Sequence, residues 1–198
     1  MTKTIFYFDS VNSTNDEAKK LVENHKVMSG LVISDHQKKG RGRFGNNWVS
    51  MKGNFMGSAF FPVRNYNSID KLQYEVLKII LNLFVKITKK NNFKIKKPND
   101  ILIGDKKVCG ILIESFVNNN KLFAIIGVGV NFIKNPILKK YKATNFEKEF
   151  NKSINTLEFS RILNQEMKKI ITTFFILFCL NWIFRSGEVS INVDIFLY

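Results

Sequence analysis

From Ser68 to about Lys90 the apolar residues Leu72, Val76, Ile79, Ile80, Leu83, Phe84 and Ile87 recur at helical spacing. A helix this long and this one-sided must bury its stripe against another layer. The segments around it supply that layer. Thr4 to Phe8 and Leu31-Val32-Ile33 are short apolar runs, and Asn54 to Phe61 is a third, expected to end at Pro62. Phe93 to Lys96 alternates like a strand, and Lys97-Pro98-Asn99-Asp100 is a turn signal. Ile101-Leu102-Ile103, Gly104-Asp105 and Lys106 to Glu114 then read as a hairpin. Asn118-Asn119-Asn120 turns the chain once more before Leu122 to Val130. Such a meander predicts a mixed, largely antiparallel sheet with helices packed on it, an α+β class.

Two further helices are expected. One runs from Thr14 to about Glu23 and buries Ala18, Leu21 and Val22. Ser13 or Thr14 is its cap, with Glu17 at capping-box spacing from Thr14. The other starts at Leu157 and extends to Phe178. Its uncharged continuation, Ile170 to Phe184, is shorter than the roughly 20 residues that span a bilayer, so it reads as a buried helix end. Ile133 to Asn155 is polar and irregular, and Ile191 to Tyr198 is a candidate terminal strand.

The chain of 198 residues suits one domain, and an apolar fraction of 45% suffices for a core. The net charge of +15 raises a nucleic-acid surface as one reading. The lysines are spread through nearly every segment, many beside Asn, as in Lys89-Lys90-Asn91-Asn92. That favours solvated faces and no DNA binding. Cys109 and Cys179 have neither CxxC spacing nor a histidine cluster, and His25 and His36 are isolated, so no metal site is marked. Met1 leads straight into a strand-like run with no apolar signal region, so a cytoplasmic address and no membrane association are expected.

Chemistry concentrates in Gly40-Arg41-Gly42-Arg43-Phe44-Gly45-Asn46-Asn47-Trp48. Glycines permit tight turns and close ligand approach, arginines supply permanent charge and planar donors, and Trp48 offers a flat face. The stretch reads as a mobile anion-binding loop. It lacks the Gly-Lys-Ser/Thr of a phosphate-binding P-loop.

Three stretches in this order resemble one family: Ser13-Thr14-Asn15 after a first strand, the Gly40-to-Trp48 loop, and Lys-x-Pro-Asn-Asp followed by Lys-x-x-Gly-Ile-Leu. The chain is similar to biotin–protein ligases, also called biotin–[acetyl-CoA-carboxylase] ligases, over roughly residues 5 to 132. The resemblance implies a catalytic domain with a class II aminoacyl-tRNA synthetase-like fold over residues 1–180. It also implies ATP-dependent formation of biotinyl-5′-AMP with magnesium and transfer to a lysine of a biotin carboxyl carrier domain; a homodimer is left open. It implies biotin contacts from Ser13, Thr14, Asn15, Gln37, Gly40, Arg41, Gly42, Lys107, Gly110, Gly127 and Gly129. It places Arg41, Arg43, Trp48, Asn99 and Asn131 toward the nucleotide, and Lys107, Arg43 and Asp100 in catalysis. Strand alternation separates Lys106 from Lys107, so only one of them enters the pocket.

The pattern departs from the family at Lys97, where tryptophan is usual and an aromatic wall is lost, and at Asn46, where arginine is usual. No N-terminal DNA-binding domain is expected, and residues 181–198 form a short tail in place of the family's small barrel. The alternatives are a lipoate- or octanoate-transferring enzyme of the same fold, disfavoured by the Gly-Arg-Gly-Arg run, and an inactive truncated ligase.

Overall fold

The computed structural model describes residues 5–170, so the expected tail, the terminal strand, Cys179 and the helix beyond residue 170 lie outside the described residues. Seven strands form one sheet: β1 (Ile5–Val11), β2 (Gly30–Gln37), β3 (Phe55–Val63), β4 (Phe93–Lys96), β5 (Asp100–Ile103), β6 (Lys106–Asn118) and β7 (Lys121–Val130). Their order is β1-β2-β3-β7-β6-β5-β4. Among the described strands β1 and β2 pair in parallel, and the other strand pairs are antiparallel. The parallel step is possible because α1 (Thr14–His25) provides the crossover between those strands.

Strand alternation divides the sheet into two faces. On one face Ala124, Ile126, Val128 and Val130 of β7 meet the long helix α2 (Tyr66–Thr88), with Leu72, Val76, Ile80 and Phe84 pointing inward. α3 (Phe146–Phe150) and a fourth helix, α4, described over residues 156–170, add Phe146, Phe159, Leu163 and Met167 to this core. Phe84 is the hub. Its ring lies 5.5 Å from Phe93, 4.8 Å from Phe146 and 6.2 Å from Phe159. On the opposite face Phe123 and Ile125 of β7 and Phe60 of β3 pack against Ala18, Leu21 and Val22 of α1.

Three local expectations are corrected. Pro62 does not end β3, which runs to Val63. Pairing with β2 stops at Phe60, so the proline, which cannot donate, falls where that side of the strand has no partner. Ser13 is the N-cap of α1 but makes no side-chain capping bond. Instead the Thr14 N–H donates to Gln37 Oε1 at 2.8 Å. Within the stretch read as irregular, Phe146 to Phe150 is helical, capped by Asn145 Oδ1 accepting from the Lys148 N–H at 2.8 Å.

Phe84→Ala removes the ring that joins α2 to α3 and α4, and its loss is expected to cost about 3–5 kcal/mol. Urea unfolding of the variant checks this through the drop in the midpoint at unchanged slope.

Candidate active site

The hollow begins in β7. On its α1 face the residues run Phe123, Ile125, Gly127, Gly129, so two large side chains are followed by none. Gly110 of β6 lies opposite Gly129 on the same face. Side chains from elsewhere fill part of the gap. A methyl group at Gly127 would stand 2.6 Å from Asn15 Oδ1, and one at Gly129 would stand 2.4 Å from the Trp48 indole. What remains is a cleft of about 260 Å³ over this glycine floor.

Its neutral wall comes from the start of α1. Asn15 Nδ2 donates to Glu114 at 2.8 Å, and Thr14 Oγ1 lies 3.0 Å from Gln37 Oε1. Ser58 of β3, fully buried, places its hydroxyl 2.7 Å from Thr14 Oγ1 and 2.5 Å from Asn15 Oδ1. Ser13, Thr14, Asn15 and Gln37 are all buried and line the cleft. The Thr14 hydroxyl that sequence assigned to a helix cap is therefore part of an interlocked polar surface of hydroxyls and amides.

The charged wall is built by β5, β6 and one irregular segment. Lys107 Nζ lies 2.7 Å from Asp100 Oδ1, with both side chains mostly buried. The Trp48 and Tyr141 rings stand 5.7 and 5.2 Å from the same ammonium. A bulge puts it there. Asp100 pairs with Gly110 and Ile101 with Cys109, but Leu102 pairs with Lys107, leaving Val108 as an extra residue. Val108 and Cys109 both enter the α2-side core, and Lys107 turns to the cleft. Burial pushes the Cys109 thiol up, out of reach of thiolate chemistry. Lys106, on the other face, reaches Glu149 at 3.2 Å. The Lys107 backbone is clamped by the segment 133–145: its N–H donates to the Lys142 carbonyl and its carbonyl accepts from the Thr144 N–H, each at 2.9 Å. A hydrogen bond from Thr144 and the Lys106 ammonium hold the Glu149 carboxyl below its usual range and anchor the segment's end.

The glycine-arginine loop is more ordered than its composition suggests. Arg41 and Asn47 form a bridge, the Trp48 N–H donates to the Gly40 carbonyl at 3.0 Å, and Arg43–Gly45 make a single 3-10 turn. Phe44 and Gly45 at the tip adopt positive φ of 54° and 72°. Arg41 donates two bonds to Asp16 at 2.8 Å and further bonds to Glu114 at 3.0–3.3 Å. Those two carboxylates raise its already high pKa. The Arg43 Nη1 and Trp48 Nε1 donors are buried without a hydrogen-bond partner.

Of the residues singled out in the sequence, Ser13, Thr14, Asn15, Gln37, Arg41, Gly42, Arg43, Trp48, Asn99, Asp100, Lys107, Gly110, Gly127 and Gly129 share this one cleft. Gly40 stands behind it, where a methyl group would meet the Trp48 carbonyl at 2.6 Å. Asn131 is buried and donates to the Thr144 carbonyl at 3.1 Å, so its amide pins the segment 133–145. Asn99 Nδ2 donates to the Ile111 carbonyl at 3.1 Å, fastening the Pro-Asn-Asp turn to β6. Lys97 does not stand in for a pocket wall: it is exposed, with its ammonium 5.3 Å from the Tyr74 ring on α2. Sequence reasoning missed Ser58, Lys140 and Tyr141. Ser58 had a signal, a lone hydroxyl inside an apolar strand; the other two sit in a stretch with no period to read.

Fold and cleft together define an α+β domain with a neutral hydrogen-bonding wall and a cationic wall over one glycine floor. The chain belongs to the Biotin/lipoate A/B protein ligase family, whose profile matches residues 7–131. It is 32% identical to the bifunctional ligase/repressor BirA of Bacillus subtilis over 139 residues, covering 69% of this chain and 42% of that protein. It is 34% identical to the biotin–[acetyl-CoA-carboxylase] ligase of Paracoccus denitrificans over 128 residues, covering 63% of this chain and 53% of that one. The chain thus spans about half or less of these relatives. Among solved structures, the biotin protein ligase of Aquifex aeolicus in complex with biotin and ATP superposes with a TM-score of 0.71 at 25% identity, covering 87% of this chain and 72% of that one. The sheet and helices described above are those of a biotin ligase catalytic domain. Among the described residues no helix is long and apolar enough to cross a membrane.

Gly129→Ala must displace the indole it now supports. Loss of ligand-induced thermal stabilisation, with the unliganded midpoint lowered by only a few degrees, is the expected outcome by differential scanning fluorimetry.

Proposed function

We propose that this domain joins biotin to ATP and passes the biotinyl group to a lysine of a biotin carboxyl carrier domain. The carrying observation is that Lys107 and the arginine loop line one cleft with the buried wall of Thr14, Asn15 and Gln37, which Ser58 braces from behind. That wall suits a neutral group that both donates and accepts hydrogen bonds, as the ureido ring of biotin does. The cationic wall suits the biotin carboxylate and the nucleotide phosphates.

In the first step a biotin carboxylate oxygen bonds to the α-phosphorus, the bond to the bridging oxygen breaks, and pyrophosphate leaves. Two anions must meet, and Lys107 lies where one ammonium can touch both, lowering the repulsion as charge moves to the leaving group. Arg43, with an unpartnered buried Nη1, supplies a second donor toward the phosphates. Trp48 and Tyr141 flank Lys107 and limit water at the reacting atoms. In the second step the acceptor amine attacks the biotinyl carbonyl, the bond to the phosphate oxygen breaks, and AMP departs. Asp100 is the one carboxylate on the described lining, and in this reading it orients that amine and takes up its proton.

Among the described residues no group of three or more His, Cys, Asp or Glu could hold a metal. The ligase reading implies magnesium carried on the nucleotide, where it would neutralise phosphate charge, and Asp100 would be the protein's contact to it or to its waters.

Mixing the protein with biotin, MgATP and a carrier domain and probing with streptavidin tests the reading, and a thermal-shift comparison of biotin with lipoate tests the acid chosen. Lys107→Ala is expected to abolish biotin-dependent pyrophosphate release while leaving the unfolding midpoint near that of the parent; normal release would remove Lys107 from this role. Arg43→Gly is expected to loosen retention of the adenylate, read as biotin on lysines outside the carrier domain. Labelling confined to the carrier lysine would mean that Arg43 does not hold the intermediate.

A further inference from the structure

The cleft's charges do not contribute equally. Among the described residues four cations line it, Arg41, Arg43, Lys107 and Lys140. Arg41 is filled by Asp16 and Glu114, and Lys107 is matched by Asp100. Among the described ion pairs, Arg43 and Lys140 have no carboxylate. The Arg43 guanidinium lies 4.8 Å from the Phe44 ring with Nη1 unbonded. The Lys140 ammonium makes its described bond to a neutral group, Asn46 Oδ1 at 3.3 Å, leaving donors to spare. This contact joins the segment 133–145 to the glycine-arginine loop. The segment is not free to wander, because Lys142 and Thr144 are bonded to the Lys107 backbone and Asn131 holds Thr144. Lys140 therefore sits two residues from a fixed point, facing the loop that carries Arg43.

We propose that Lys140 is a polyphosphate-binding residue, which with Arg43 holds the β- and γ-phosphates of the nucleotide and hence the departing pyrophosphate. The assignment rests on the ligase reading above and adds a contact to it. Lys107, committed to Asp100 beside the reacting centre, serves the α-phosphate. The compensated Arg41 contributes its rigid hydrogen bonds to the loop rather than net charge. An ordinary solvated lysine would meet the exposure of Lys140 equally well, but it would not separate nucleotides by phosphate number.

Calorimetric titration of the full chain with MgATP, AMP and biotin distinguishes the two. The set is the parent, Lys140→Met, Lys140→Arg and, as a charge control, Lys139→Met at the exposed neighbour off the described lining. Lys140→Met is expected to weaken MgATP about tenfold, equivalent to ~1.4 kcal/mol. AMP and biotin should stay within about twofold, a few tenths of a kcal/mol. Lys140→Arg should restore MgATP affinity and Lys139→Met should leave it unchanged. Unaltered MgATP binding by Lys140→Met overturns the proposal. So does an equal loss for AMP, or an equal loss in Lys139→Met, which marks a general field effect. A parent protein that binds no MgATP sinks the ligase reading and this contact together, whereas normal parent binding with an unmoved Lys140→Met sinks this contact alone.

Discussion

Two side chains are missing where a sheet would ordinarily carry them. β7 offers Phe123 and Ile125 to α1 and then, on the same face, Gly127 and Gly129. A strand with large residues at all four positions would continue the apolar layer under α1 and leave no cleft. Because neighbouring strands are only about 4.8 Å apart, the gap is widened by what lies beside it, Ser58 on β3 and Gly110 on β6. The other face of β7 is uninterrupted, with Ala124, Ile126, Val128 and Val130 held by α2 and the phenylalanine cluster around Phe84. The rigid layer therefore lies behind the floor, and the hollow costs that core no packing.

The floor admits side chains as well as ligand, and the two that enter do different work. Asn15 sits against Gly127 and carries its amide to Glu114, which also receives Arg41. One hydrogen-bonded chain thus runs from the buried Ser58 hydroxyl to the base of the arginine loop. Exposed ion pairs are each worth little. The bidentate geometry on Asp16 with a second carboxylate behind it gives direction instead, holding the loop over the cleft. Trp48 sits against Gly129 and shields Lys107 from one side.

Much of this was legible in the sequence, for identifiable reasons. α2 and the β5–β6–β7 meander announce themselves by period, and the three motif stretches name residues that do converge. Lys107 lines the cleft while Lys106 faces the other way, the reverse of what plain alternation from Gly110 would give. Counting back from Gly110 on the cleft face, an unbroken strand puts Cys109 toward the core, Val108 toward the cleft and Lys107 toward the core. The extra residue at Val108 reverses that order. A bulge of this kind has no composition signature, since Lys-Lys-Val-Cys-Gly is compatible with either register. Segment 133–145 was opaque for a related reason. Its order comes from backbone bonds to Lys107 and from Asn131, which are tertiary contacts that leave no periodic trace.

The same segment explains why the cationic wall is assembled from three separate pieces of chain. Lys107 comes from a strand, Arg43 from a loop and Lys140 from the clamped segment, each fixed by a different set of bonds. Cations brought together on one element would repel with nothing to hold them. Here Lys107 is steadied by Asp100, and Lys140 by an amide that adds no charge. An anion reaching the cleft meets donors already aimed, with Arg43 and Lys140 still carrying net charge toward it, so little reorganisation remains when negative charge shifts. The pairing leaves a preference as well. The neutral wall beside Ser58 offers hydroxyls and amides but no cation of its own. A ligand with one polar uncharged end and one anionic end is therefore oriented before any bond is made.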